Sequence, residues 1–189
     1  MNDKKYLYEE IQNFLVNVGW THKIQICQVD VYIEFSRKLK LTKILLTSFT
    51  SAGLGSFILK ILPSFQDVSM TITFALSLAT TIVIALDKEN DYKKLAEQNK
   101  MAADKYLEMR NKATALLYRM KHEDSNTTIE KEFSELKELR NTANPDLPYT
   151  SSKAVALASK KLKENKDNDY NDDYKLFIPK NLLDIEGDL

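Results

Sequence analysis

Cysteine is nearly missing from this sequence: Cys27 stands alone. One thiol allows no intramolecular disulfide and no thiolate cage for zinc. In its apolar company Cys27 reads as a small buried hydrophobe. Histidine is scarce too, since His22 and His122 are the only two and neither has a partner one helical turn away, as a helical metal site needs. Four glycines form no phosphate-cradling loop, and no GxSxG or paired-cysteine motif occurs. Net charge is absent: 27 basic residues balance 27 acidic ones, so no global field points to nucleic acid. Asp169, Asp172 and Asp173 lack the spacing and closing Glu of a calcium loop and read as solvated tail charges. No catalytic, cofactor or metal site is therefore expected, and the protein reads as a non-enzyme. The opening MNDKKYLYEE has no apolar core of a secretory signal, so a membrane segment would have to act as its own insertion signal.

What is present is one long apolar stretch. Ile44 to Leu86 carries only two charges, Lys60 and Asp67. The chain's mean hydropathy of -0.37 hides it, because the remaining residues are rich in Lys, Glu and Asn. The stretch divides into residues 44–62 and 68–86 around a turn at 63–67. Each piece has about 19 residues and a helical length of roughly 28 Å, against a hydrocarbon core of about 30 Å. Roughly nine Leu, Ile, Phe or Val in each contribute about -0.3 to -0.6 kcal/mol apiece. Lys60 would cost about 3 kcal/mol at mid-bilayer but sits near a span's end and can snorkel. Pro63 stops the first helix, and Asp67 favours the start of the second. The rival is a buried helical hairpin in a soluble domain.

The flanks set direction. Arg37, Lys38, Lys40 and Lys43 precede the stretch, and Lys88, Lys93, Lys94 and Lys100 follow it, while the turn offers only Lys60. The positive-inside rule puts both termini in the cytoplasm. The expected fold is an all-α membrane protein: a two-transmembrane helical hairpin with N- and C-terminal cytoplasmic helices.

Inside the spans, small residues recur every fourth position. Ser48, Ala52 and Ser56 form one row, with Thr47, Ser51 and Gly55 beside it; Ser69, Thr73, Ser77, Thr81 and Ala85 form another. Such rows let membrane helices approach closely. They either pack the hairpin on itself, or the hydroxyl row faces copies of itself around a lumen, which requires oligomers because two helices cannot enclose a pore. No Asp, Glu, Arg or His lies at mid-span, which speaks against a proton relay.

Residues 1–43 read as one amphipathic helix or two, with Leu7, Ile11, Phe14 and Val18 on one face and Gly19 permitting a break. Trp20, Ile24, Cys27, Val31 and Phe35 continue the spacing. VDVYIEF also alternates with period two, but a lone strand would have no partner, so helix is expected. Residues 87–165 read as cytoplasmic helices. Tyr92, Leu95, Ala96, Ala103, Tyr106, Ala113, Leu117 and Met120 suit a stalk running straight on from the second span, covered by the N-terminal helix or a neighbouring subunit. Thr127 with Glu130 has a capping-box signature for a helix to about Thr142. Thr150 or Ser151 caps a last helix to about Asn165, with Val155, Ala158 and Leu162 on one face. Residues 166–189 form an acidic tail.

Taken in order, Trp20-Thr21-His22-Lys23, Gln28, Thr50-Ser51-Ala52-Gly53-Leu54, Arg110, Leu116-Leu117, Pro148-Tyr149-Thr150-Ser151, Ala154, Ala158, Leu162-Lys163, Asn171-Asp172-Asp173 and Phe177-Ile178-Pro179 resemble the SLATT family. Arg140-Asn141 departs from the Arg-Asp pair expected there. SLATT proteins are two-transmembrane effectors associated with bacterial nucleotide-second-messenger conflict systems. The resemblance implies a cell-suicide effector that oligomerises and opens the membrane when a separately encoded nucleotide synthase or sensor signals. Its implied partners are the lipid bilayer, its own copies and that protein.

Overall fold

A computed structural model describes residues 2–51, 66–121 and 125–167, with side chains at 4–49, 70–121 and 125–167. Every element among them is an α-helix. Helix α1 spans Asn2–Ser51, α2 Gln66–Glu89, α3 Tyr92–Lys121, α4 Asn126–Ala143 and α5 Ser152–Lys163. The expected turn around Pro63, the rest of the first span and the acidic tail beyond Asp167 lie outside the described residues.

Helix α1 runs 50 residues without interruption, about 75 Å. Gly19 does not break it, and VDVYIEF lies wholly within it. A mid-helix glycine costs only about 1 kcal/mol, which packing on both sides offsets. A Cβ at Gly19 would meet the Arg110 side chain at 3.8 Å, an ordinary contact. Gly19→Ala should therefore stabilise the helical bundle by about 0.5–1 kcal/mol, seen as a higher midpoint in thermal unfolding.

The main core lies between α1, α3 and α4. Leu7, Ile11, Phe14 and Val18 meet Tyr106, Met109, Ala113, Leu116 and Met120 of α3, closed over by Ile129, Phe133 and Leu136 of α4. Low-numbered residues of α1 pack on high-numbered ones of α3, and Tyr32 and Phe35 meet Tyr92, so the two helices are antiparallel. Phe14 and Phe133 sit edge to face at 5.5 Å. Ion pairs stitch the rim, Lys137 to Glu10 at 2.9 Å and Arg119 to Glu132 at 2.6 Å.

Three local expectations need correction. The stalk is not one unbroken helix: it is interrupted for two residues at Asn90-Asp91, where Asp91 Oδ1 accepts the Lys94 N–H at 3.1 Å and restarts it. Ser125, not Thr127, precedes α4; its carbonyl takes the N–H groups of Thr128 and Ile129, and its side chain makes no cap. On α5 the inward face is Ala154, Leu157 and Ala158, while Val155 is exposed. Two alanines one turn apart let α5 lie close on α1, and that closeness turns Val155 outward. Ser151 is the cap, its Oγ accepting from Ala154 N at 3.2 Å.

Candidate functional site

Two features stand apart from ordinary packing: an uncovered apolar helix, and a polar clasp holding α5 against α1.

From Met70 onward an apolar window of mean hydropathy 1.8 is long enough to cross a membrane, and none of it is buried. The core helix of a soluble domain would be mostly covered, so the buried-hairpin reading fails for this helix. Phe74 is 72% exposed, and Ile72, Leu78, Ile82 and Leu86 are exposed with it; Ile44, Leu45 and Phe49 of α1 are exposed at the same end. Monomeric soluble proteins rarely present so large a contiguous apolar surface.

The half-covered positions of α2 are Leu76, Ala79, Thr80, Val83 and Asp87, the row beside which α1 packs. Thr73, Ser77 and Thr81 are exposed, and so is Ser48 on α1. The side chain of Ser69 and the positions of Ala52, Gly55 and Ser56 lie outside the described residues. Thr81 donates to the Ser77 carbonyl at 3.0 Å and Thr80 to the Leu76 carbonyl at 2.7 Å. These hydroxyls are thus satisfied within their own helix and can face an apolar medium cheaply. Of the basic flank, Lys43 pairs with Asp87 at 3.2 Å and Lys38 with Glu34 at 2.6 Å, while Arg37, Lys40, Lys88, Lys93 and Lys94 are exposed.

The clasp joins segments more than a hundred residues apart. Gln28, fully buried on α1, accepts both the backbone N–H of Ser151 at 2.7 Å and its hydroxyl at 2.8 Å through Oε1. The N–H is an obligate donor, which fixes the amide's orientation. Gln25 donates to the Pro148 carbonyl at 3.2 Å. Cys27, Val31, Ala154 and Ala158 form a second small core, flanked by Trp20, Ile24 and Leu157. Burial pushes the Cys27 thiol above its ordinary range, so it stays a protonated packing group. Trp20 packs against this small core, with the Lys163 ammonium 5.8 Å from its ring.

Ion pairs line the same seam: Lys23 to Asp167 at 2.8 Å, Lys161 to Asp30 at 2.9 Å and Lys153 to Glu34 at 2.9 Å. Hydrogen bonds from Lys38 and Lys153 lower the Glu34 carboxyl to about 2. His22 is held below its usual range by burial, then by Arg110 and Lys23, against Asp104, and is neutral at pH 7. Among the described residues no cluster of His, Cys, Asp or Glu could hold a metal.

The sequence signal for the clasp was two glutamines at positions 25 and 28, on the inner side of a helix whose neighbours are apolar. A buried amide needs a partner, and the PYTS turn supplies it. Gln28→Ala would strand the Ser151 N–H and hydroxyl at a cost of about 1–3 kcal/mol. Amide hydrogen exchange in α5 should then quicken by roughly tenfold or more, with α3 unaffected.

A family model matches residues 7–173, from the first core leucine through the clasp to the acidic tail. The chain belongs to the SMODS and SLOG-associating 2TM effector domain family 4. This SLATT domain therefore covers both the uncovered helix and the helices that pack beside it. Membership and the bare apolar helix both fit a membrane protein acting as an effector in nucleotide-signalling defence. No curated protein and no solved structure matches the chain.

Proposed function

We propose that this SLATT protein is a two-span effector of the bacterial inner membrane, which assembles with its own copies and opens the bilayer when a separate nucleotide synthase or sensor signals. Residues 44–62 and 68–86 are the spans, 63–67 the outer turn, 1–43 and 87–165 the cytoplasmic helices, and 166–189 the tail. Both termini lie in the cytoplasm, on the side of the basic flank. The reading is non-enzymatic.

The observation that carries it is the outward placement of Thr73, Ser77 and Thr81 on a bare apolar helix. A row of small hydroxyl residues that α1 leaves uncovered is available to another copy. Uninterrupted α1 supplies the coupling, since one rigid rod runs from the clasp into the first span. The Asn90-Asp91 interruption gives α2 a joint of its own.

The alternative is a non-conducting anchor, favoured by the hydroxyls' bonds within their own helix. Replacing residues 44–86 with an unrelated hairpin separates the two. An effector loses its toxicity to the host cell, whereas an anchor keeps its function.

A further inference from the structure

Where α1 and α3 converge beside the expected membrane boundary there is an open depression of about 300 Å³, lined by Arg37, Lys40 and Lys93 with Ser36, Ile33 and Tyr92. No acidic residue lines it, and none of its three cations is in an ion pair among the described residues. Most other charges along α1 are matched, as at Lys5–Glu9, Glu10–Lys137, Lys23–Asp167 and Asp30–Lys161. Of the neighbouring acids, Glu34 is taken by Lys38 and Lys153, Asp87 by Lys43, and Asp91 by the N–H of Lys94; Glu89 and Glu97, four residues either side of Lys93, are exposed and do not line the depression. Three positive groups therefore converge on one concave site and leave it without an anion.

The depth of the site indicates which anion. Lys40 precedes Ile44 by one helical turn, about 6 Å, and Arg37 precedes it by about 10 Å. Lys93 follows Leu86 by a similar distance. The headgroup layer occupies roughly 5–8 Å beyond each edge of the hydrocarbon core. Lys40 thus stands within the headgroup layer, and Arg37 and Lys93 stand a few ångströms beyond it, where their long side chains reach back to the lipid phosphates, with Ile33 and Ala96 giving the site an apolar wall. The site is poorly suited to a nucleotide base, because the Tyr92 ring is already stacked with Phe35 at 5.9 Å and met by Tyr32 at 5.9 Å.

We propose that Arg37, Lys40 and Lys93 bind the phosphate of an anionic lipid, clamping the base of α1 to the start of α3 at the cytoplasmic headgroup level. The site rests on the membrane reading above. A bound phosphate there would bridge the rod that enters the first span and the helix that follows the Asn90-Asp91 joint, so lipid composition would set how firmly the spans are held.

The test is native mass spectrometry of the full chain released from vesicles of phosphatidylcholine and phosphatidylglycerol. The wild-type protein should carry phosphatidylglycerol out of the mixture. The triple variant Arg37→Gln, Lys40→Gln, Lys93→Gln should lose that preference by about tenfold or more. A control with equal charge loss, Lys4→Gln, Lys121→Gln, Lys131→Gln, should keep it. Lys38, Lys43, Lys88, Lys94 and Lys100 remain in the triple variant to hold orientation, and carbonate extraction verifies its insertion. Equal phosphatidylglycerol retention by the inserted triple variant overturns the site alone. Displacement of the lipid by millimolar inorganic phosphate overturns the lipid assignment in favour of a free anion. A wild-type chain that carbonate strips from the membrane overturns the membrane reading, and the site with it.

Discussion

Thr73→Leu combined with Ser77→Leu should abolish toxicity and membrane leakage, by tenfold or more, while the protein still inserts. Both positions are exposed on α2, so the substitutions change its surface and not the buried core of the bundle. Leucine is worth about -0.3 to -0.6 kcal/mol at mid-span, so insertion is helped rather than harmed. What changes is the surface offered to another copy. Small residues let helix backbones approach closely, and two leucines a turn apart hold them away. Polar hydroxyls would also be lost from any lumen. Substituting Ile72 or Phe74 by Leu is the control, because apolar residues already stand there. Cell survival after induction, with carbonate-extracted membranes blotted in parallel, reads both quantities. Undiminished toxicity in the double variant would remove the hydroxyl row from the mechanism.

Phe133→Ala should be the most damaging single change to the soluble bundle. Phe133 is 1% exposed, packs edge to face on Phe14 and has the Lys137 ammonium 4.6 Å from its ring centre. Deleting such a ring costs about 3–5 kcal/mol through lost transfer energy and the cavity left behind. Whole-domain stabilities run at about 5–15 kcal/mol, so this is a large share. The bundle's unfolding midpoint should fall on the order of 10 °C or more, measured by circular dichroism in detergent. Helix α2 does not touch this core, so membrane insertion should be unchanged. Loss of insertion alongside the melting shift would mean that the bundle and the spans fold as one unit.

How far these features could be read from the sequence follows their physics. The bare helix was legible because charge is missing over a stretch of bilayer length, and no other signal competes with that. The face Leu7, Ile11, Phe14 and Val18 was legible because helical periodicity is local. Continuity through Gly19 was not, since a glycine's small penalty is outweighed by tertiary packing that the sequence does not display. The restart at Asp91 carried a local signal, an Asn-Asp pair with capping chemistry, but the apolar spacing on either side suggested a single rod. On α4 a capping-box spacing at Thr127 pointed two residues past the true boundary.

The clasp was the least legible part. Gln28 and Ser151 stood among the residues that carried the family resemblance, yet nothing local links positions 123 residues apart. On α5 the helical spacing put Ala158 on the packing face but placed Val155 there too and left out Ala154; the two alanines decide how closely the helices approach, and Val155 is turned outward. Small residues specify close contact, and they do so only once the partner is known.

The central claim is that the hairpin opens a membrane. The direct measurement is dye release from vesicles of inner-membrane lipid composition, holding the purified full-length chain and exposed to its activating synthase or sensor. Activation should release dye within minutes, with discrete conductance steps in planar bilayers of the same lipids, and the Thr73→Leu, Ser77→Leu variant should give neither. Inserted wild-type protein that oligomerises with its activator yet releases no dye and passes no current would contradict the account and leave the anchor reading standing.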